Sequence, residues 1–557
     1  MQSSAAVMRT ERTVRVISFN PWEYLLPALS GWLLSRSCPP HALTPTIWIA
    51  LVPLFIFLSR CQTPARALRG SWLAGAIYYG IILRPFLTLI WWGWADTTAE
   101  YNASLRQQYV FLRIWYPLAL LWSGAWWGLW GGSLVALARS RRVRVWLAPA
   151  LWILLCEYLR SRTFFDFTWG YLGYALHPYA GLRQLAAVTG VMGLSALIVL
   201  LNAWIAHALL SSWELVRPAT PSIVSLQPGR EVGLTLSVLL AALASWGTGV
   251  LAERPSTVES AKATISVAAL QAGVRHYTKE ELTSGSLDWK YTPMLQSVLD
   301  HGAELVVLPE SVWLARLTLD ATPTQNSLSR PVLPSDVQAF LSPRLASTGA
   351  VVLADFEVAQ QGKLYNSIVG WDANGMLGRY DKRRLTPFAE YPPGPFARIA
   401  PRNRITYTPG HGSHLFSVHG VRVGSFICQE VQFPYVIRES VRDGAQLLVS
   451  TGNDGIFTDP AAAAGHHVAA LFRAIETHRP LVRVMKTGIS SIIDARGHIL
   501  SLSALNQPAI LQEQLRPSED LTLYTRWGDW PVALAAFVVL LACLARCRAL
   551  TSSPTIH

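Results

Sequence analysis

The sequence predicts a two-part chain: a multi-pass α-helical membrane bundle of about eight spans, with one α/β domain set between the last two spans. Three observations predict it. Only 15% of the 557 residues are charged and 51% are hydrophobic, a balance typical of membrane proteins. Many of the 23 tryptophans stand at the ends of long apolar runs, as in interfacial belts. Between the last two runs, the stretch from 255 to 525 carries short β-branched segments that end in polar residues.

The expected spans run near 22–37, 42–60, 72–95, 112–138, 143–159, 186–210, 232–252 and 530–546. Most approach or reach the about 20 residues that a bilayer requires. Arginine sets their direction. Arg9, Arg12 and Arg15 precede the first span, and Arg60, Arg66 and Arg69 follow the second. Arg139, Arg141, Arg142 and Arg144 follow the fourth, Arg217 and Arg230 the sixth, and Arg546 and Arg548 the eighth. With eight spans all these segments share one side, which the positive-inside rule makes cytoplasmic. The expected organisation is a cytoplasmic N-terminal segment 1–21, seven spans over 22–254, an extracytoplasmic domain 255–525, and a last span with a cytoplasmic tail, 526–557. No cleaved signal is expected, so the first spans serve as the address. The formal charge of +13 does not imply nucleic acid, because the basic residues sit in short loops between apolar runs.

The outer domain reads as α/β. "ATISVAALQ" (263–271), "AELVVLPES" (303–311), "AVVLADFEV" (350–358), "VRVGSFICQE" (421–430) and "AQLLVSTGND" (445–454) have the pattern of buried strands. "AAGHHVAALFRAIETHR" (463–479) has that of a helix after a strand, with His466 and His467 expected on its surface. In such sheets chemistry gathers beyond the strand ends, and three of these runs end at Glu310, Cys428 and Asn453-Asp454.

Cys428 is the only one of six cysteines in the polar stretch, so that stretch holds neither an internal disulfide nor a cysteine-rich zinc site. HExxH and P-loop motifs are absent from the sequence. A thiol attacks a carbonyl when a base or cation assists its deprotonation. Glu310 is a candidate base, Lys382 a candidate oxyanion stabiliser, and Glu390 a candidate support for Lys382. The plainer alternatives are an inert core cysteine, a solvated turn carboxylate, a lysine in the basic surface run "DKRR", and a Glu430 that only accepts local backbone hydrogen bonds.

The ordered series "LPES", "YDKRRLTPFAEYPP", "ICQE", "STGNDGIF" and "RAIETHRPLVRVMKTGIS" resembles the nitrilase superfamily, which implies an αββα sandwich and a Glu-Lys-Cys triad. "LCEYLRSRTFFDFTWGYLGYA" (155–175) and "LRQLAAVTGVMGLSALIVLLNAW" (182–204) resemble the membrane half of the apolipoprotein N-acyltransferase family, so the resemblance runs almost end to end. It implies Glu310 as general base, Lys382 as oxyanion stabiliser and Cys428 as nucleophile, with Glu390 and Glu430 supporting. Trp289, Gln429, Asn453 and Asp454 are the implied substrate-binding positions. The implied reaction moves a fatty acyl chain from a membrane phospholipid, through a Cys428 thioester, to the α-amine of a diacylglyceryl-cysteine at an apolipoprotein N-terminus. No metal or diffusible cofactor is expected, and the enzyme is expected to act as a monomer in a bacterial inner membrane. Apolar loops such as "YPPGPFARIAP" (391–401), with Phe396, are expected either to dip into lipid or to be ordinary proline-rich turns. Leu308 stands where the family usually has Trp, Ala389 where it has Gly, Gln429 where it often has Tyr, and Ile456 where an aromatic is common. These departures bear on acyl or head-group preference. Two rival classes are a membrane-tethered amidase that uses water, and a silent envelope scaffold that tolerates loss of Cys428.

Overall fold

The computed structural model describes residues 21–39, 41, 43–85, 98–138, 141–163, 168–216, 246, 264–273, 290–313, 315–320, 330–387, 390–392, 394, 406–456 and 459–551. The expected span 232–252 (Trp246 apart), Trp289, Ala389 and Phe396 lie outside these residues.

The helical part comprises α1 (Leu25–Ser37), α2 (Val52–Arg60), α3 (Pro64–Ile82), α4 (Thr98–Leu137), α5 (Arg141–Leu151), α6 (Ala186–Val216) and, after the α/β domain, α11 (Trp530–Thr551). Local chemistry sets the ends. Thr63 caps α3 by accepting from Arg66 N, and Pro64 opens it with its φ already fixed. Among the described residues, two helical segments are long and apolar enough to cross a bilayer, Ala186–Ser212 and Trp530–Arg548. Two of the about eight expected spans, 186–210 and 530–546, thus stand among the described residues as single long apolar helices. The expected span 42–60 divides into a 3₁₀ turn at Thr44–Trp48 and the nine-residue α2, each opened by a proline. The span 143–159 passes from α5 into a π turn, Trp152–Leu159, just after Pro149. Proline removes a backbone donor and breaks or kinks the helix it interrupts.

The α/β domain is two stacked sheets between helices. The first sheet runs β14 (Ala509–Leu515), β1 (Ile265–Gln271), β2 (Leu305–Val307), β5 (Val351–Gln360), β3 (Ala315–Thr318), β4 (Arg330–Val332). Beside β5 it adds β6 (Lys363–Trp371) and then β7 (Met376–Asp381). The second runs β13 (Ile499–Leu502), β12 (Ser491–Ile493), β11 (Leu481–Met485), β10 (Leu447–Gly452), β9 (Val421–Ile427), β8 (Leu415–Val418). Strand alternation sorts the side chains into layers. Val267, Ala269, Leu305 and Val307 face Val423, Ile427, Val449 and Val484 between the sheets. Ala268, Leu270 and Val306 turn instead to α7 (Tyr291–Asp300) and α8 (Pro334–Leu345). The second sheet is covered by α9 (Pro434–Arg442) and α10 (Pro460–Thr477). This is the expected αββα sandwich, and both sheets read as apolar runs because both faces are buried.

The two parts share one core. Trp127, Trp152, Tyr171 and Leu194 continue into Phe433, Val436, Phe472 and Ile475. Polar ties reinforce it: Val191 N donates to Glu476 Oε1 at 2.9 Å, and Arg84 pairs with Asp459 at 2.8 Å. On α11, Leu534, Phe537, Leu540 and Leu544 remain exposed, an apolar face of the kind that lipid covers.

Candidate active site

Four strands deliver the site. Glu310 follows β2, Lys382 follows β7, Cys428 follows β9, and Asn453-Asp454 follow β10. Cys428 has φ 51°, a left-handed conformation that non-glycine residues rarely adopt and that clusters at functional turns. Gly452 permits the close approach of β10, since a Cβ there would lie 3.2 Å from Cys428 Cα. The adjacent turn is tied down by Glu430, which is fully buried. Glu430 accepts from Ile427 N (2.8 Å), Arg383 N (2.7 Å), Arg384 N (3.0 Å) and the Tyr380 hydroxyl (2.9 Å). One carboxylate thus fixes the Cys428 turn to the segment that carries Lys382.

Lys382 is 1% exposed and donates from Nζ to Glu390 Oε1 at 2.9 Å. Asn366 Nδ2, from β6, bridges Glu310 (2.7 Å) and Glu390 (2.9 Å). The Glu310 and Lys382 charges both act on the Cys428 thiol. The sequence-expected Glu310, Lys382, Cys428, Glu390 and Glu430 therefore converge on one cluster, all buried but Glu310, which is half-buried.

The electrostatics follow from burial and neighbours. Burial raises Glu310 above the ordinary carboxylate range, opposed by Lys382 and helped by Glu390. Burial also raises Cys428, the Glu310 charge adds to this, and Lys382 opposes. For Lys382, burial alone would lower the ammonium, but Glu390, Cys428 and Glu310 together hold it well above its usual value. The resting site is thus a charged lysine beside a protonated thiol, with a carboxylate whose proton affinity is above normal.

Other expectations resolve differently. Gln429 is half-buried in the turn Cys428–Gln432. Leu308 is fully buried in the layer under α7 and α8. Asp454, expected at the substrate, is 3% exposed, with its oxygens directed at His466 Nδ1 (2.8 Å) and Arg483 Nη2 (3.4 Å). His466 is 2% exposed, not on the helix surface, because α10 lies between the second sheet and the helical part and has no fully solvated face there. Sequence reasoning missed Asn366, Tyr380 and Asp355. Asp355 is buried beside Glu310, and burial first, then the Glu310 charge, push it well above the carboxylate range. A polar residue inside an apolar strand, as in "KLYNSIVGW", was the available signal for Asn366. Among the described residues, no group of three or more His, Cys, Asp or Glu is arranged around a metal position.

Replacing Glu430 with Gln keeps the volume but places an amide among backbone donors. We expect a loss of about 2–3 kcal/mol in stability and slower acyl-enzyme formation, read from thermal unfolding in detergent and from single-turnover kinetics.

The layered sheets, with a buried Cys and Lys and a half-buried Glu at their strand ends, define a carbon–nitrogen hydrolase-type domain, and the Carbon-nitrogen hydrolase family model matches residues 266–519. The model for the apolipoprotein N-acyltransferase N-terminal domain matches residues 30–204. An apolipoprotein N-acyltransferase of Geobacter metallireducens is 31% identical over 540 residues, covering 93% of this chain and 95% of the relative. One of Gloeobacter violaceus is 29% identical over 534 residues, covering 92% of each. The chain belongs to the apolipoprotein N-acyltransferase family. Among solved structures, Saccharomyces cerevisiae Nit3 of the nitrilase superfamily is similar at 18% identity with a TM-score of 0.35, covering 46% of this chain and 91% of that one.

Proposed function

We propose that this enzyme N-acylates lipoproteins by two acyl transfers at Cys428. In the first, the Cys428 sulfur attacks an ester carbonyl of a membrane phospholipid. Glu310 takes the thiol proton, the C–S bond forms, the ester C–O bond breaks, and the proton passes to the departing lysophospholipid oxygen. In the second, the α-amine of a diacylglyceryl-cysteine attacks the thioester. The C–N bond forms, the C–S bond breaks, and Glu310 returns the amine's proton to the sulfur. Lys382 stabilises the oxyanion in both steps. The observation that carries this reading is the convergence of Glu310, Lys382 and Cys428 at the strand ends. Because the thiol is held protonated at rest, attack needs a base in the same step, and Glu310 is placed for it.

The architecture suits the substrates. Both carry acyl chains that stay in the bilayer, each CH₂ contributing about 0.8 kcal/mol, and the helical part packs directly against the helices of the second sheet. We place the α/β domain (255–525) on the outer face of an inner membrane, with both termini cytoplasmic and eight spans in all, on the arginine distribution. A monomer suffices, since one chain supplies every group named.

The test is intact-mass analysis of the purified enzyme with phospholipid, then with a diacylglyceryl-cysteine peptide. A fatty-acyl gain on Cys428 that moves to the peptide amine supports the transferase. A gain lost only to water indicates a hydrolase, and no gain overturns the thioester. The pH profile is a separate expectation. Glu310 must be ionised to accept the proton and its pKa lies above the ordinary 4.5. The acylation rate should therefore fall with acidification at a pH above 4.5, and Glu310→Gln should remove that acid limb together with most of the rate.

A further inference from the structure

Cys428 is held from a second direction, and that support reaches into the helical part. The loop after β10 runs directly beside the nucleophile, where a Cβ on Gly452 would lie 3.2 Å from Cys428 Cα. The loop is held by its own hydrogen bonds. Asn453 Oδ1 accepts from Gly455 N at 3.0 Å and Thr487 Oγ1 at 3.2 Å, and Asp454 N donates to Thr487 O at 3.3 Å. The Asp454 carboxylate points away from the substrate side to His466 Nδ1 at 2.8 Å and the fully buried Arg483 at 3.4 Å. Above His466 lies Trp169, 8% exposed, its ring centroid 4.9 Å from the imidazole at 47°. Gly465 makes room for the indole, since a Cβ there would lie 3.2 Å from Trp169 Cζ3.

The segment that carries Trp169 is anchored inside the helical part. Tyr78 Oη donates to Gly170 O at 3.2 Å, Leu172 N to Glu157 Oε1 at 3.2 Å, and Gly173 N to Ser195 Oγ at 2.8 Å. A continuous run of contacts therefore leads from the helical part through Trp169, His466 and Asp454 to the loop packed behind the nucleophile.

We infer that Asp454 and His466 are a positioning pair for Cys428, seated from the helical part by Trp169. Asp454, buried with His466 and Arg483, fixes the course of the Gly452–Asp454 backbone behind Cys428, and His466 fixes Asp454. Neither touches the reacting atoms. Asp454 also acts on the Cys428 thiol electrostatically, raising it, while Arg483 stands within the same field. The pair thus sets both the geometry and the charge behind the sulfur. A displacement of about 1 Å at a reacting group costs on the order of 10²-fold in rate, so a small rotation of Asp454 is enough to matter.

The inference rests on the acyl-transfer reading, and the experiment separates the two. Full-length enzyme in detergent with phospholipid is assayed as His466→Ala, Trp169→Ala and Trp169→Phe. We expect His466→Ala to lower the rate of Cys428 acylation at saturating phospholipid by about 10²-fold and Trp169→Ala by about tenfold, each with KM within about twofold. Trp169→Phe keeps a ring on the imidazole and should recover most of the rate. All rates are normalised to the monodisperse folded fraction, so simple unfolding is not scored as loss. In parallel, Cys428 alkylation by iodoacetamide, located by peptide mass, needs no phospholipid, and both alanine variants should slow it. Wild-type rates of acylation and alkylation in folded His466→Ala overturn the positioning pair. A loss confined to KM also overturns it, and a Trp169→Phe as slow as Trp169→Ala removes the indole seat. Absence of acylation in the wild type, with alkylation still slowed in the variants, overturns the acyl-transfer reading and leaves the pair standing.

Discussion

Cys428→Ala should leave the enzyme folded and reduce lipoprotein N-acylation by about 10⁴-fold or more, the scale seen when a covalent nucleophile is removed from an otherwise intact site. The side chain is small and 7% exposed, so the change opens little space. Alanine meets the same backbone strain at φ 51° as cysteine does, and the Glu430 hydrogen bonds that shape the turn do not involve the sulfur. The folded state is therefore nearly unchanged while the reaction has no atom on which to form the thioester. Intact mass with phospholipid should show no acyl gain, and transfer to a lipopeptide acceptor should fall to background. Serine is the stricter control. It keeps a nucleophilic atom and a proton for Glu310 to take, but an alcohol is the poorer nucleophile and gives an oxygen ester, a less activated donor for the amine. A stable acyl adduct on Cys428→Ser that fails to pass to the peptide would identify the second transfer as the step that requires sulfur. Retained transfer in Cys428→Ala would sink the mechanism and support the scaffold alternative.

How far the sequence disclosed this site depends on the kind of element each residue occupies. Glu310 and Cys428 were legible because they end apolar runs that could only be buried strands, and parallel strands collect chemistry at their carboxyl ends. Asn366 was not, because it lies within β6 and gains its meaning only from a register that brings Asn366 opposite Glu357 and near the end of β2. Tyr380 likewise gains its role from Glu430, 50 residues away in sequence. His466 was misplaced because helix periodicity shows which face is apolar, but α10 is covered on the sheet side and again by Trp169 and Tyr174 from the helical part. The αββα layering was legible, while the local form of the expected spans was not. Hydropathy sums over a window, whereas Pro45, Pro53 and Pro149 act on single backbone bonds.

Lys382→Met should combine two losses that a second substitution separates. The ammonium is 1% exposed and sits on Glu390 Oε1 at 2.9 Å. Removing it takes the positive charge from the forming oxyanion, which on its own costs about 10²–10³-fold in rate. It also leaves Glu310 and Glu390 sharing the single Asn366 amide with no cation between them. Stripping one partner from a buried pair costs about 3–5 kcal/mol, and the lost cation should raise Glu310 further, moving the acid limb of the rate to higher pH. The double variant Lys382→Met/Glu390→Gln removes the stranded charge. It should recover much of the unfolding temperature in detergent and none of the acyl-transfer rate. That split is the informative outcome, because a lysine that served only to fold the site would regain rate and stability together. Recovery of both in the double variant would assign Lys382 to architecture and leave the oxyanion to backbone amides at the Cys428 turn.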